Sequence, residues 1–81
     1  MHYVYIIECE DGTYYTGYTT EIKRRIEEHN QGQGAKYTRG RTPVKLVYQE
    51  SFDNKSKAMQ REYEIKQLSR STKEELVKNH Q

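Results

Sequence analysis

The chain has 81 residues, of which 32% are apolar and 32% are charged, and its formal net charge is +2. This length fits a single domain over residues 1–81 with a small core. The sequence contains no apolar run of about 18 residues and no signal-peptide pattern. Its one cysteine, Cys9, excludes an internal disulfide and a cysteine-based zinc site. We therefore expect a soluble cytoplasmic protein that does not bind a membrane.

Three segments have the residue types and alternation of β-strands. Residues 2–9, HYVYIIEC, are β-branched or aromatic at most positions, and residues 13–19, TYYTGYT, follow them across an Asp-Gly turn. After Pro43, the segment VKLVYQES at residues 44–51 has strong β propensity. Three strands are too few to close a barrel. We therefore predict an α+β fold in which a three-stranded antiparallel sheet is flanked by helices.

Helix signals separate and follow these strands, which gives the order ββαβαα. The first helix is predicted to end near residue 30, where the segment NQGQG begins, and the second to run to about residue 68. A short third helix follows in STKEELVKN. The predicted caps, in chain order, are Thr19 or Thr20, Asp53 or Asn54, and Ser71 or Thr72.

The length of the first hairpin loop decides which tyrosines can share a face of the sheet. A two-residue turn at Asp11-Gly12 would place Tyr5 and Tyr15 on opposite faces. A three-residue loop at residues 10–12, with Gly12 left-handed, places Tyr5 opposite Gly17 and diagonal to Tyr15. A site that uses both tyrosines therefore requires the three-residue loop. In that arrangement Gly17 would leave space for a bound group.

The charge is unevenly distributed along the chain. Residues 1–33 carry three basic and six acidic side chains, whereas residues 34–48 carry four basic side chains and no acid. A basic segment that contains glycine fits a loop that contacts phosphates, and it fits a solvated surface loop equally well. Its four cations are Lys36, Arg39, Arg41 and Lys45.

Helical periodicity separates inward from outward polar residues. In the first helix, Arg25 and His29 share the stripe that contains the isoleucines, whereas Arg24 and Glu28 face water. In the second helix, Glu62 lies in the middle of the apolar stripe, where a bare carboxylate would be too costly to bury. Glu62 must then be metal-bound or paired, for example with Arg25, or it lies at the edge of the helix.

These positions resemble the motifs of the GIY-YIG nuclease superfamily, and the resemblance is closest to its small stand-alone single-domain bacterial branch. The chain has YVY at residues 3–5 and YTG at residues 15–17, followed by an arginine, a histidine one turn later, and a glutamate in AMQREYEIK. It departs from the family at the second motif, where Thr16 replaces the usual isoleucine, and at the first, which reads Tyr-Val-Tyr. The matching functional positions are Tyr5, Tyr15, Gly17, Arg25, His29 and Glu62.

The resemblance implies hydrolysis of phosphodiester bonds with the help of one divalent cation. The residue matching Glu62 would hold Mg²⁺ or Mn²⁺, with waters completing the shell. Tyr5 would help to deprotonate the attacking water, for which its pKa must be lowered by the cation and Arg25. Tyr15 would position the nucleophile or the phosphate, Arg25 would neutralise charge on the phosphoryl oxygens, and His29 would assist proton transfer.

The resemblance also implies a role in DNA repair or processing. With only the basic segment and Gly17 to contact DNA, we expect a structure-selective or weakly specific endonuclease, with a partner protein as a possible source of targeting. Family nucleases often carry an asparagine about a dozen residues after the glutamate, and here Asn79 is the nearest. Two other readings stay open: a nucleic-acid-binding module that does not cut, and a protein-interaction module that keeps the motif as scaffold.

Overall fold

A computed structural model describes residues 1–80 and confirms the predicted α+β order. No helix within this range is long and apolar enough to cross a membrane. The elements are β1 (His2–Glu8), β2 (Tyr14–Thr19), α1 (Ile22–Asn30), a 3₁₀ turn (Lys36–Thr38), β3 (Lys45–Phe52), α2 (Lys55–Lys66) and α3 (Arg70–His80).

The sheet is antiparallel with strand order β2-β1-β3, so β1 is the central strand. Because side chains alternate along a strand, β1 supplies two separate cores. Val4 and Ile6 point to one face, where they pack with residues of α2 and α3. Tyr5 and Ile7 point to the other face, where they pack against α1. The sheet is therefore a middle layer between α1 and the α2–α3 pair.

The first hairpin has the three-residue loop that a shared tyrosine site requires. The Cys9 amide donates to the Thr13 carbonyl at 2.8 Å, and the Gly12 amide donates to the Cys9 carbonyl at 2.9 Å. Gly12 has a φ of +85°, in the left-handed region that glycine adopts at no steric cost. In the resulting register Tyr5 pairs with Gly17, as predicted.

Two of the predicted helix caps are wrong, and in both cases the helix begins next to a different residue. The N-cap of α1 is Glu21, which has no side-chain cap bond, while the Thr19 hydroxyl accepts a hydrogen bond from the Glu21 amide at 3.1 Å. At α3 the cap lies before the predicted serine and threonine, because Ser69 Oγ accepts from the Thr72 amide at 3.3 Å. The Thr19 hydroxyl therefore binds within the turn ahead of α1, whereas the Ser69 hydroxyl caps the first turn of α3.

The N-cap of α2 is confirmed as Asn54, whose side chain accepts from the Lys57 amide at 2.8 Å. This is the usual way in which a short polar side chain satisfies an unpaired amide of the first turn. The helix ends at Lys66, slightly earlier than residue 68.

A side-chain amide joins the end of α1 to the start of β3. Asn30 Oδ1 accepts from the Val44 amide at 2.6 Å, and Asn30 Nδ2 donates to the Val44 carbonyl at 3.2 Å. Val44 is 5% exposed, so water cannot easily replace these bonds. Asn30 thus ties the far end of the loop between α1 and β3, residues 31–44, back to the end of α1.

We expect Asn30→Ala to lower the free energy of unfolding by about 1–3 kcal/mol, because it leaves the buried amide of Val44 without an acceptor. Chemical denaturation measures the change, with Asn79→Ala on the exposed end of α3 as the control. Equal stability of the two variants would contradict the proposed clamp.

Candidate active site

Tyr5 lies at the centre of the sheet and is almost completely buried. It is 1% exposed, and its ring covers Gly17 on the neighbouring strand. A Cβ atom at Gly17 would lie 2.6 Å from Tyr5 Cζ, which is closer than non-bonded carbons approach. Glycine is therefore required here to admit the tyrosine ring. The space that we expected Gly17 to leave for a bound group is filled by Tyr5, and Gly17 is buried beneath it.

A chain of buried hydrogen bonds runs from Tyr5 through α1 to the basic segment. The Tyr5 hydroxyl lies 2.9 Å from His29 Nε2, and His29 Nδ1 lies 2.8 Å from Thr38 Oγ1. The Thr38 hydroxyl in turn donates to the Ala35 carbonyl at 2.9 Å. His29 and Thr38 are both 0% exposed. The sequence predicted His29 to face inward, and the structure confirms that position.

Burial determines the protonation states of Tyr5 and His29 in this hydrogen-bonded chain. It raises the pKa of Tyr5 to about 12, although the nearby Arg25 cation acts in the opposite direction. It also lowers the pKa of His29, and Arg25 adds to that shift. At neutral pH the tyrosine is therefore protonated and the imidazole is neutral. A tyrosine that acts as a base needs a lowered pKa. The Arg25 cation alone does not lower the pKa of Tyr5 enough to overcome the effect of burial.

Arg25 occupies the inward position that its helical phase predicts. Its side chain is 31% exposed, against 66% for Arg24. Glu28, which we expected in water, is also partly covered and accepts a hydrogen bond from Arg25 Nη1 at 3.0 Å. Within residues 1–80 there is no ion pair between Arg25 and Glu62, so the structural pairing considered from the sequence is wrong.

Glu62 is the acidic residue of the site. Its side chain is 14% exposed, and its nearest cation is Lys66 Nζ at 3.5 Å. The flanking positions on the same stripe, Ala58 and Ile65, are 0% exposed. Its negative charge is near enough to contribute to the raised pKa of Tyr5. The predicted place in the apolar stripe of α2 is confirmed.

The donor set fits a metal ion that keeps most of its water. Among residues 1–80, no group of three or more His, Cys, Asp or Glu side chains is gathered as a cage. Glu62 offers one hard carboxylate in a position that retains some contact with solvent. Mg²⁺ is commonly bound through one or two carboxylates with waters in the other positions. Glu62 is therefore the residue that would hold such an ion.

Tyr15 is joined to His29 and to an aromatic residue that the sequence reasoning missed. Its ring meets His29 edge-on at a centroid distance of 5.5 Å and stacks on Tyr37 at 5.9 Å. The Arg41 guanidinium lies 4.4 Å from the centre of the Tyr37 ring. An aromatic residue inside a run of basic ones was the available signal for Tyr37. Tyr15, Tyr37 and Arg41 form one stacked column beside the Tyr5–His29 bond.

The four cations of the basic segment divide into two pairs. Arg41 binds Asp11 of the hairpin loop at 2.6 Å, and Lys45 lies 3.7 Å from Glu8. Lys36 and Arg39 are exposed, and neither has an acidic partner among the described residues. The segment is thus less positive in the fold than in the sequence, because the hairpin supplies two acids.

Thr38 and Gly34 also belong to the site, and the sequence reasoning did not single them out. A Cβ atom at Gly34 would lie 2.7 Å from His29 Cγ, so this glycine is needed to admit the imidazole. Asn79, the late candidate for a family asparagine, is exposed at the end of α3.

The lowered pKa of His29 predicts a pH-dependent stability. Below the ordinary histidine pKa of 6.5, the unfolded chain takes up a proton that the folded protein resists. We expect the free energy of unfolding to decrease as the pH falls from about 7.5 to 5.5, by at most about 1.4 kcal/mol per pH unit.

Denaturation at several pH values measures this slope. His29→Gln should flatten it, whereas the exposed control His80→Gln should retain it. An unchanged slope in His29→Gln would assign the effect to another group.

Comparison with known proteins places this arrangement in a family. A model of the GIY-YIG catalytic domain matches residues 1–75. A UPF0213 protein of Halobacterium salinarum is 72% identical over 76 residues, which are 94% of this chain and 99% of the relative. A UPF0213 protein of Staphylococcus aureus is 56% identical over 77 residues, with coverage of 95% and 94%.

Two solved structures are similar along nearly the whole chain. The solution NMR structure of a UPF0213 protein from Bacillus halodurans has 60% identity and a TM-score of 0.62, and the match covers 95% of this chain and 82% of that one. An NMR structure of an E. faecalis protein has 46% identity and a TM-score of 0.64, with coverage of 96% and 83%. Since both the family model and the relatives span most of its length, the chain belongs to the GIY-YIG nuclease domain family, among the small UPF0213 proteins.

Proposed function

We propose that this protein is an endonuclease that hydrolyses phosphodiester bonds in DNA, using a divalent cation held by Glu62. The observation that carries the proposal is the buried bond between the Tyr5 hydroxyl and His29 Nε2, with the Arg25 cation close by. Membership of a nuclease domain family supports the reaction class. We assign the activity to DNA repair or processing in the cytoplasm.

Tyr5 and His29 together can remove a proton from the attacking water. As the water proton moves to the Tyr5 oxygen, the hydroxyl proton of Tyr5 passes to His29 Nε2. Tyr5 then remains neutral and His29 becomes an imidazolium, while the hydroxide attacks phosphorus and the P–O bond to the leaving oxygen breaks. This route avoids a free phenolate, which the raised pKa of Tyr5 disfavours. It forms a buried imidazolium, which the lowered pKa of His29 disfavours in the free protein, so the negative charge of the bound phosphate has to offset that cost. It requires that substrate binding give a water molecule access to Tyr5, which is 1% exposed in the free protein.

The remaining site residues have electrostatic and positioning roles in this proposal. Arg25 is held by Glu28 through Nη1, which leaves other guanidinium donors for the phosphoryl oxygens. Tyr15 packs beside His29 and positions the phosphate or the attacking water. A divalent ion at Glu62 would supply charge stabilisation at the phosphate.

DNA binding is assigned first to Lys36 and Arg39, because both are exposed and neither has an acidic partner within residues 1–80. Arg41 and Lys45 would contribute after exchanging their acidic partners for phosphates. Contacts of this kind hold the backbone and carry no direct sequence information. We therefore propose structure-selective or weakly specific binding, with targeting supplied by a partner protein.

Tyr5→Phe should reduce cleavage by about 100-fold or more, because it removes the proton path and keeps the ring that fills the space over Gly17. The assay compares branched, flapped, single-stranded and duplex DNA, and RNA, with Mg²⁺, Mn²⁺ or EDTA. Full activity of Tyr5→Phe would remove Tyr5 from the mechanism.

Glu62→Gln should abolish cleavage that depends on the added metal, and Arg25→Ala should slow it by about 100-fold. The matched controls are Glu64→Gln, on the same helix with a 63% exposed side chain, and Arg24→Ala, on the exposed face of α1. Products formed at full rate by Glu62→Gln would indicate a contaminating nuclease. DNA binding without any cleavage in the wild type would favour the non-catalytic binding module.

Lys36→Ala and Arg39→Ala should each weaken DNA binding and reduce the slope of log K against log salt by about 1. Fluorescence anisotropy at several salt concentrations measures the slope, with Lys78→Ala on α3 as the control. A slope that stays at the wild-type value in both variants would exclude this segment as the phosphate contact.

A further inference from the structure

We propose that Thr38 is a positioning residue that fixes the tautomer of His29 and so directs the hydroxyl proton of Tyr5 toward Nε2. This inference rests on the proposed function for its catalytic meaning, and its structural part can be tested without any cleavage assay. Thr38 lies outside the motifs that define the family resemblance, in the 3₁₀ turn Lys36–Thr38.

The direction of the hydrogen bonds follows from the single proton of the threonine hydroxyl. Thr38 Oγ1 donates to the Ala35 carbonyl at 2.9 Å, and a carbonyl oxygen can only accept. The same oxygen lies 2.8 Å from His29 Nδ1, and with its one proton on the Ala35 side it accepts from Nδ1–H. In a neutral imidazole Nε2 is then the acceptor, and the Tyr5 hydroxyl at 2.9 Å is its donor.

Packing prevents the imidazole from escaping this arrangement. His29 and Thr38 are both 0% exposed. Gly34 closes on one side of the ring, where a Cβ atom would lie 2.8 Å from Cε1. Tyr15 meets the ring edge-on at 5.5 Å. A rotation that exchanged the two nitrogens would therefore have to displace the surrounding segments.

The opposite tautomer of His29, with the proton on Nε2, would disrupt the hydrogen bonds to both Tyr5 and Thr38. With the proton on Nε2, two donors would face each other at the Tyr5 contact unless the tyrosine proton turned away. At the other end, the bare Nδ1 would need the Thr38 proton, which would leave Thr38 Oγ1 and the Ala35 carbonyl oxygen 2.9 Å apart with no proton between them. Buried polar groups without partners are costly, so the network selects Nδ1–H.

The charged and titratable groups around His29 are compatible with a neutral ring. Arg25 disfavours the imidazolium and Glu28 favours it, both from α1. Tyr5 and Tyr15 face the ring from β1 and β2. Burial is the largest influence and lowers the pKa of His29, which keeps one nitrogen free to accept.

A purely structural role for Thr38 makes a different prediction. The Thr38 amide already donates to the Ala35 carbonyl at 3.1 Å, so the turn is closed without the hydroxyl. If the hydroxyl served only the turn, its loss would lower stability and leave the tautomer of His29 unchanged.

The test uses ¹⁵N NMR of the imidazole in the full chain, which reports which ring nitrogen carries the proton. The wild type should show Nδ1–H at pH 7.5. Thr38→Ser retains the hydroxyl and should show the same signal. Thr38→Val has nearly the same shape without a hydroxyl, and it should shift the population toward Nε2–H.

Cleavage assays on the same variants give the catalytic consequence. Thr38→Val should lose about tenfold to 100-fold in rate, which is part of the ~10²–10⁴-fold that general acid–base catalysis contributes, and Thr38→Ser should recover most of it. The exposed control Thr20→Val should behave as wild type.

Two results would overturn the inference. One is Nε2–H as the main tautomer of the wild type, which is decisive even if Thr38→Val fails to fold. The other is an unchanged Nδ1–H tautomer in folded Thr38→Val. If the wild type does not cleave any substrate, the proposed function fails, while the NMR measurement still decides the role of Thr38.

Discussion

The hydrogen bond between Tyr5 and His29 is the interaction on which the site depends. It links the central strand β1 to α1 through a part of the core that water does not reach. Gly17 is required for the tyrosine and Gly34 for the histidine, because a Cβ atom at either position would overlap the ring. The two glycines, on separate segments, therefore serve one bond, and the positions of β2 and the basic segment follow from it.

A small core explains why polar groups are used in this way. The chain is only 32% apolar, and the α1 face of the sheet combines aliphatic side chains with the rings of Tyr5, Tyr15 and His29. Such rings bury area as hydrophobic residues do, but they require partners for their polar atoms. Tyr5, His29 and Thr38 satisfy one another. On the opposite face, the Thr16 hydroxyl is buried without a partner among the described residues, at the position where the family motif usually has isoleucine.

Local patterns predicted the fold and the inward residues. The Asp-Gly loop, the alternation along β1 and the phase of Arg25 against Arg24 depend on neighbours within a few positions, and all were correct. The predicted cap of α1 was wrong because the Thr19 hydroxyl binds the Glu21 amide and the helix begins only after Glu21. The predicted cap of α3 was wrong because a third hydroxyl, on Ser69, lies two residues ahead of Ser71 and takes that role. The filled space over Gly17, the Asp11–Arg41 pair and the contacts of Thr38 join residues distant in sequence, where a single sequence carries no periodic signal.

The 3₁₀ turn limits which sequence changes this part of the protein can accept. Lys36 on the outside and Thr38 on the inside are two residues apart in the same turn. The segment around it is tied to α1 by Asn30 and to the hairpin by the Glu10 amide, which donates to the Arg41 carbonyl at 2.8 Å. Exchanges of the outward side chains leave the interior intact, but an insertion or deletion between these ties would move the surface cations and the partner of His29 together. Variation of this outward surface is therefore compatible with the interior when side chains are exchanged at constant loop length.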